Sequence, residues 1–246
     1  MTVTLSSAEN NEEMAGSAKL CYNDRDHERH SEGLVMSVIT RPKPNRVADL
    51  LMRLAVPAER VLLEPHPGTA TEEDAIEHKL CELIDGTLVE KAIGYYESWL
   101  GVILIGYLQR FLDKHDLGIL LEGGGMIRVA PEQVRLPDVS FISWDHFPGR
   151  KLPKVQILNV VPDLAVDILS PTNTKAEMER KRREYFDGGA KLVWEVHPIK
   201  RKVEVFTAPD VSTTLDENGT LDGGDVLPGF TLSIRDWFAR AGEPSE

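Results

Sequence analysis

From Lys79 to Glu90 apolar and polar residues alternate around Asp85-Gly86, in the order Lys-Leu-Cys-Glu-Leu-Ile-Asp-Gly-Thr-Leu-Val-Glu. Asp-Gly supplies the positive backbone angles of a tight turn, so the segment predicts a short β-hairpin. From Tyr95 to about His115 the period lengthens. Tyr96, Leu100, Ile103, Leu104, Tyr107 and Phe111 recur every three or four residues, which predicts an amphipathic helix stopping near Gly118. Gly101 and Gly106 weaken that helix unless a neighbour packs closely against them. Strand patterns follow over residues 119–129, 134–144, 163–169, 191–196 and 202–207, interrupted by one helix, Lys175–Asp187. Thr174 and Glu177 form a T-x-x-E capping box at the start of that helix, and Gly188-Gly189 ends it. A helix, then strands, then a crossover helix and more strands predict an α/β sheet covered on at least one face. Asn218-Gly219 marks a late hairpin, and Leu227-Pro-Gly-Phe230 with Trp237-Phe238 a closing strand and helix. No internal repeat is visible.

The 246 residues, 41% of them hydrophobic, are enough for a real core. The first 32 residues carry seven acidic against three basic side chains with almost no aliphatic periodicity. They predict a disordered acidic extension over residues 1–35, followed by a single domain over residues 36–246. His27-Glu-Arg-His30 within the extension lacks the further ligands of a closed metal site. Two cysteines make no disulfide framework, the start lacks a basic and apolar leader, and the longest apolar run, residues 99–108, falls short of the ~18 to 20 residues of a membrane helix. These features predict a cytoplasmic protein. The net charge of −12 excludes broad, salt-driven coating of nucleic acid. Locally the balance reverses: Lys175 to Lys202 holds nine basic against five acidic residues, a net of +4.

Asp167 interrupts the near-continuous apolar run Asp163-Leu-Ala-Val-Asp-Ile-Leu169. On a strand buried on both faces an ionised carboxylate needs a cation, a donor network or a metal. A buried Asp satisfied by backbone amides or an arginine is an equal reading of this residue alone. Asp138 follows Pro137 at the mouth of another strand, although Pro-Asp is also a common turn dipeptide. Lys181 shares a helical stripe with Met178, Arg182 and Tyr185, and is either aimed at something or paired with Glu177 one turn earlier. Taken together, two carboxylates at adjacent strand ends can hold a hard divalent ion, and a nearby ammonium can stabilise the transition state of phosphodiester hydrolysis.

The ordered blocks Glu82-Leu-Ile-Asp-Gly-Thr-Leu-Val-Glu90, Leu136-Pro-Asp-Val139, Asp167-Ile-Leu-Ser-Pro-Thr172, Lys181-Arg-Arg-Glu-Tyr185 with Gly189 and Trp194, and Leu227-Pro-Gly-Phe230 resemble the Uma-two type restriction endonuclease family of the PD-(D/E)XK nuclease superfamily. The resemblance spans roughly residues 45–240. It implies a restriction-endonuclease-like mixed sheet flanked by helices, with an N-terminal helical and hairpin portion and a C-terminal hairpin. It further implies a Mg- or Mn-dependent endonuclease acting on DNA, and a homodimer. Asp138, Asp167 and the backbone carbonyl of Ile168 would hold the metal, and Lys181 would be the migrated catalytic lysine. Glu82 and Tyr185 would be accessory, and Arg180, Arg182 and Arg183 would contact nucleic acid. The chain departs from the family at three places: Asp167 where the family usually has Glu, Leu169 where the in-strand lysine would stand, and Glu97 where a histidine is frequent. The alternative they raise is a catalytically weakened nuclease-fold module that binds DNA or a protein. Glu195-Val-His197 mimics an acidic-x-basic element but aligns with the family's Trp-x-x-Asp-Pro block. Gly123-Gly-Gly125 is no phosphate loop, since no Gly-Lys-Ser/Thr follows.

Overall fold

The structure is a computed structural model that describes residues 47–242; the extension expected over residues 1–35 and the His27/His30 pair lie outside the described residues. In chain order the described elements are α1 Val47–Leu54, α2 Glu72–Glu77, β1 Cys81–Ile84, β2 Thr87–Glu90, α3 Tyr95–His115, β3 Gly118–Glu122, β4 Met126–Ala130, β5 Gln133–Arg135, β6 Val139–Ser143, β7 Ile157–Leu158, β8 Leu164–Ile168, α4 Lys175–Asp187, β9 Leu192–His197, β10 Lys202–Ala208, β11 Val211–Leu215, β12 Thr220–Asp222, β13 Thr231–Ser233 and α5 Ile234–Ala241.

A six-stranded sheet runs in the order β11-β10-β9-β8-β6-β3. It is mixed, because α4 carries the chain from β8 back to a parallel β9 while the other pairs are antiparallel. Val166, Trp194 and Val196 pack on one face with Leu100, Leu104 and Leu108 of α3 and Trp237 and Phe238 of α5. Ala165 and Val193 alternate to the other face, where they meet Tyr185 of α4 and Ile127 and Val129 of β4. The second sheet, in the order β2-β1-β5-β4-β7, brings the N-terminal hairpin to this α4 side. Gly101 is buried where α3 crosses β8 and β6: a Cβ there would sit 3.5 Å from Ile168 Cδ1 and 3.9 Å from Val139 Cγ2. The close neighbour that the sequence required at this glycine is therefore the strand carrying Asp167.

The α/β class, the hairpin about Asp85-Gly86, both long helices and the α4 capping box agree with expectation. Two strand assignments need correction. Residues 119–129 and 134–144 are not two continuous strands: each divides between the two sheets, as β3 and β4, and as β5 and β6. The breaks fall at Gly123-Gly-Gly125, whose turn includes a Gly125 N–H donating to the Glu122 carbonyl at 2.9 Å, and at Leu136-Pro137, where proline cannot continue a ladder. Asn218-Gly219 turns between β11 and β12, which pair with different strands, so the late hairpin is β12–β13 instead.

Asp163, at the start of β8, ties three segments together. One oxygen accepts from the Ser143 N–H at 2.9 Å and lies 3.0 Å from His146 Nε2, and the other lies 2.8 Å from Lys191 Nζ. Burial opposes the charge, but Lys191, the Ser143 N–H and His146 together hold its carboxyl below the ordinary aspartate value. A depressed folded-state pKa contributes stability that is present above the unfolded value and is lost as pH falls through the folded one. Asp163→Asn is expected to lower stability at pH 7 by about 1 to 3 kcal/mol and to narrow its gap from wild type at acid pH. Urea melts at pH 7 and pH 3 check this; an equal deficit at both would contradict it.

Candidate functional site

Register places the two central carboxylates side by side. Val139 of β6 faces Val166 of β8, and the Asp138 N–H donates to the Val166 carbonyl at 2.9 Å, so Asp138 and Asp167 continue the ladder by one step. Asp138 Oδ2 accepts from the Ile168 N–H at 2.6 Å, which fixes its carboxylate across the strand end. Pro137 ends the preceding segment and leaves Asp138 free to turn inward.

Helix α4 aims Lys181 at this pair. Its Nζ lies 2.7 Å from Asp167 Oδ1 and 3.0 Å from Glu82 Oε1 of β1. The alternative partner Glu177 is taken instead by Arg60, at 3.0 and 2.9 Å, while its capping bonds to the start of α4 persist. Lys181 is thus not a surface ion pair. Tyr185, one turn on, is fully buried beneath it, with Lys181 Nζ 5.9 Å from the ring centre. Glu82 accepts from Lys181, from Arg135 Nη1 at 2.8 Å and from the Leu136 N–H at 3.1 Å.

The electrostatics follow from burial and these partners. Burial pushes the Asp167 carboxyl up, helped by Asp138 and Glu82 and opposed by Lys181. Burial likewise opposes charge on Glu82, but Lys181 and Arg135 overcome it and hold that carboxyl well below the usual range. For Lys181 burial is outweighed by Asp167 and Glu82, which keep its ammonium protonated well beyond an ordinary lysine. A lysine so held cannot serve as a base near pH 7. It can donate hydrogen bonds and offer positive charge.

Whether a hard cation suits this place can be read from Asp167 Oδ2, which is buried and accepts no hydrogen bond. Beside it is a cavity of about 10 Å³ lined by Glu82, Lys91, Asp138, Asp167, Ile168 and Lys181, roughly the room of one water molecule. An all-oxygen donor set with one uncompensated buried oxygen is what a Mg²⁺-like ion prefers.

Sequence reasoning missed Lys91, just beyond β2. Its Nζ lies 2.8 Å from Asp138 Oδ1 and donates to the Gly123 carbonyl at 3.0 Å. It also missed Arg135, which is fully buried and joins Glu82 to Glu184, the latter at 2.6 Å. The three helix arginines do not converge on the centre. Arg180 pairs with Asp85 and Glu184, and Arg182 is buried between Glu195, the Pro209 carbonyl and the Phe206 ring. Arg183 is more than half exposed and touches Asp210.

A second acidic set lies further along the same sheet face. Glu195, His197 and Glu204 bring ligand atoms within 4.8 Å of one another at a cavity of about 730 Å³. Glu195 faces Asp167 in register and Glu204 in turn, so the row of carboxylates continues outward from the centre. Here Arg182 already pairs with Glu195 and Lys202 with Glu204. No helix among the described residues is long and apolar enough to cross a membrane.

The chain matches the Uma2 family, described as "Putative restriction endonuclease", over residues 73–235, well over half its length. Among solved structures it is similar to one described as "a putative nuclease belonging to DUF820" from Anabaena variabilis ATCC 29413, with a TM-score of 0.58 and 17% identity, covering 65% of this chain and 90% of that one. At that identity the likeness concerns the fold. No curated protein matches.

Proposed function

Because the chain belongs to the Uma2 family, we propose that it is a metal-dependent endonuclease that hydrolyses phosphodiester bonds of DNA. The observation that carries the proposal is the pairing of Asp138 with Asp167, whose buried Oδ2 lacks a partner, beneath the ammonium of Lys181. Asp138, Asp167 and the Ile168 carbonyl would hold Mg²⁺ or Mn²⁺. When bound, such an ion lowers the pKa of a water and offsets charge on a phosphate.

The remaining work falls to the chain. Asp138 is fixed by the Ile168 N–H, so the carboxylate is positioned before substrate arrives. Lys181, held protonated by Asp167 and Glu82, presents positive charge to the scissile phosphate or its attacking water. Glu82 acts through Lys181 and is itself anchored by Arg135. Tyr185 fills the space beneath the lysine stem. Of the α4 arginines, Arg183 is the most accessible to a DNA phosphate, since its pairing with Asp210 is solvent-exposed; Arg180 and Arg182 would have to leave more buried partners. A homodimer in the cytoplasm, with two such sites for two strands, completes the proposal.

Supercoiled plasmid incubated with the protein and Mg²⁺ or Mn²⁺ is expected to be nicked and linearised, and chelation to stop it. Lys181→Met is expected to lower kcat by about a hundredfold or more with DNA affinity little changed. A Lys181→Met enzyme as fast as wild type would remove the lysine from the mechanism. The rival reading, a nuclease-fold module without catalysis, draws on the two ammonium groups that already neutralise Asp138 and Asp167. It predicts DNA retention without cleavage in the same assay.

A further inference from the structure

We infer that Lys91 is the resident cation of the candidate metal site: its ammonium neutralises Asp138 in the metal-free protein and must leave before Asp138 can become a ligand. The inference rests on the endonuclease reading of this site. A lysine near a surface ordinarily keeps its ammonium in water and buries only its stem. Lys91 does the reverse, with its side chain 6% exposed and its Nζ turned inward to Asp138 Oδ1.

The place is shaped for it. Besides Asp138, the ammonium donates to the Gly123 carbonyl, and a Cβ at Gly123 would stand only 2.8 Å from Nζ. Glycine at that turn leaves the volume that the ammonium fills. The other oxygen of Asp138 is committed to the Ile168 N–H, so Oδ1 is the oxygen for which Lys91 and an incoming ion compete. Asp167 is in the complementary condition. Lys181 holds its Oδ1, while Oδ2 has no partner. One half of the carboxylate pair thus has an oxygen ready for a cation, and the other half is covered by one.

Two consequences follow from this competition. Without metal, Lys91 and Lys181 keep two adjacent carboxylates from facing each other uncompensated. With metal, the apparent affinity is the intrinsic affinity scaled by the fraction of molecules in which Lys91 has released Asp138. Lys91 would then set the metal concentration at which the enzyme becomes active. A lysine serving only to hold the hairpin against the Gly123 turn would, when removed, leave metal affinity unchanged or weaken it.

Mn²⁺ titration calorimetry on the full chain separates these outcomes. Lys91→Met, and Lys91→Gln as a second variant able to keep a hydrogen bond to Gly123, are expected to bind Mn²⁺ about tenfold or more tightly than wild type. Lys91→Arg, which restores the charge, is expected to return toward wild-type affinity. Asp138→Asn should lose the ion. If Asp138→Asn loses the ion but both neutral Lys91 variants bind no more tightly than wild type, the role of Lys91 is overturned and the endonuclease reading stands. If Asp138→Asn leaves the isotherm unchanged, both are overturned.

Discussion

Asp138→Asn and Asp167→Asn are each expected to cut metal-dependent DNA cleavage by on the order of a thousandfold, the loss that follows when several kcal/mol of charge stabilisation disappears. The two should differ in stability. Asp138 accepts a backbone N–H and pairs with Lys91, so its amide would leave that buried ammonium with only the Gly123 carbonyl and should destabilise moderately. Asp167 is buried, its charge is disfavoured by burial and by two neighbouring carboxylates, and one oxygen has no donor. An uncharged isostere there removes that penalty, while Lys181 keeps Glu82. Asp167→Asn should therefore melt at or above the wild-type temperature while being inactive. Plasmid cleavage beside thermal melts checks both. An active Asp167→Asn, or an inactive one that is grossly unfolded, would contradict this account of the site.

Arg135→Met is expected to produce the largest loss of stability, about 3 to 5 kcal/mol, the range seen when one partner of a buried ion pair is removed. Arg135 is 1% exposed and bonds Glu82 at 2.8 Å and Glu184 at 2.6 Å, joining β1 and β5 of one sheet to α4. Without it, Glu82 retains only Lys181 and the Leu136 N–H to offset its buried charge. Adding Glu82→Gln to Arg135→Met should recover part of the loss, because the stranded charge goes with it. Chemical denaturation of the two single variants and the double variant measures the coupling. A loss below about 1 kcal/mol for Arg135→Met, or strict additivity, would mean that the ionic layer does not hold α4 to the hairpin.

These residues also show what the chain made legible. Asp167 stood out because a carboxylate interrupting an apolar strand run is costly, and Lys181 because it shares a helical stripe with Met178 and Tyr185. The hairpin bearing Glu82 was visible in Asp85-Gly86. Lys91 and Arg135 were not visible, since each is explained by partners distant in sequence: Asp138 lies 47 positions from Lys91, and Glu82 lies 53 from Arg135. Short-range periodicity carries no information about such pairs. The division of residues 119–129 and 134–144 between two sheets was signalled by Gly123-Gly-Gly125 and Leu136-Pro137, but which sheet each half joins depends on pairings distant in sequence. Arg182 is a case in which local composition and helical position point different ways. Its place in a basic run suggested DNA, whereas its stripe position beside Lys181 carried it into the core against Glu195 and Phe206.

Anomalous scattering of Mn²⁺ in crystals soaked with the ion reports whether Asp138 and Asp167 form a divalent-cation site. One peak is expected at Asp138 and Asp167, with Lys91 moved off Asp138. A peak held instead by Glu195, His197 and Glu204, or Lys91 still seated on Asp138 with no ion between the aspartates at saturating Mn²⁺, would contradict it.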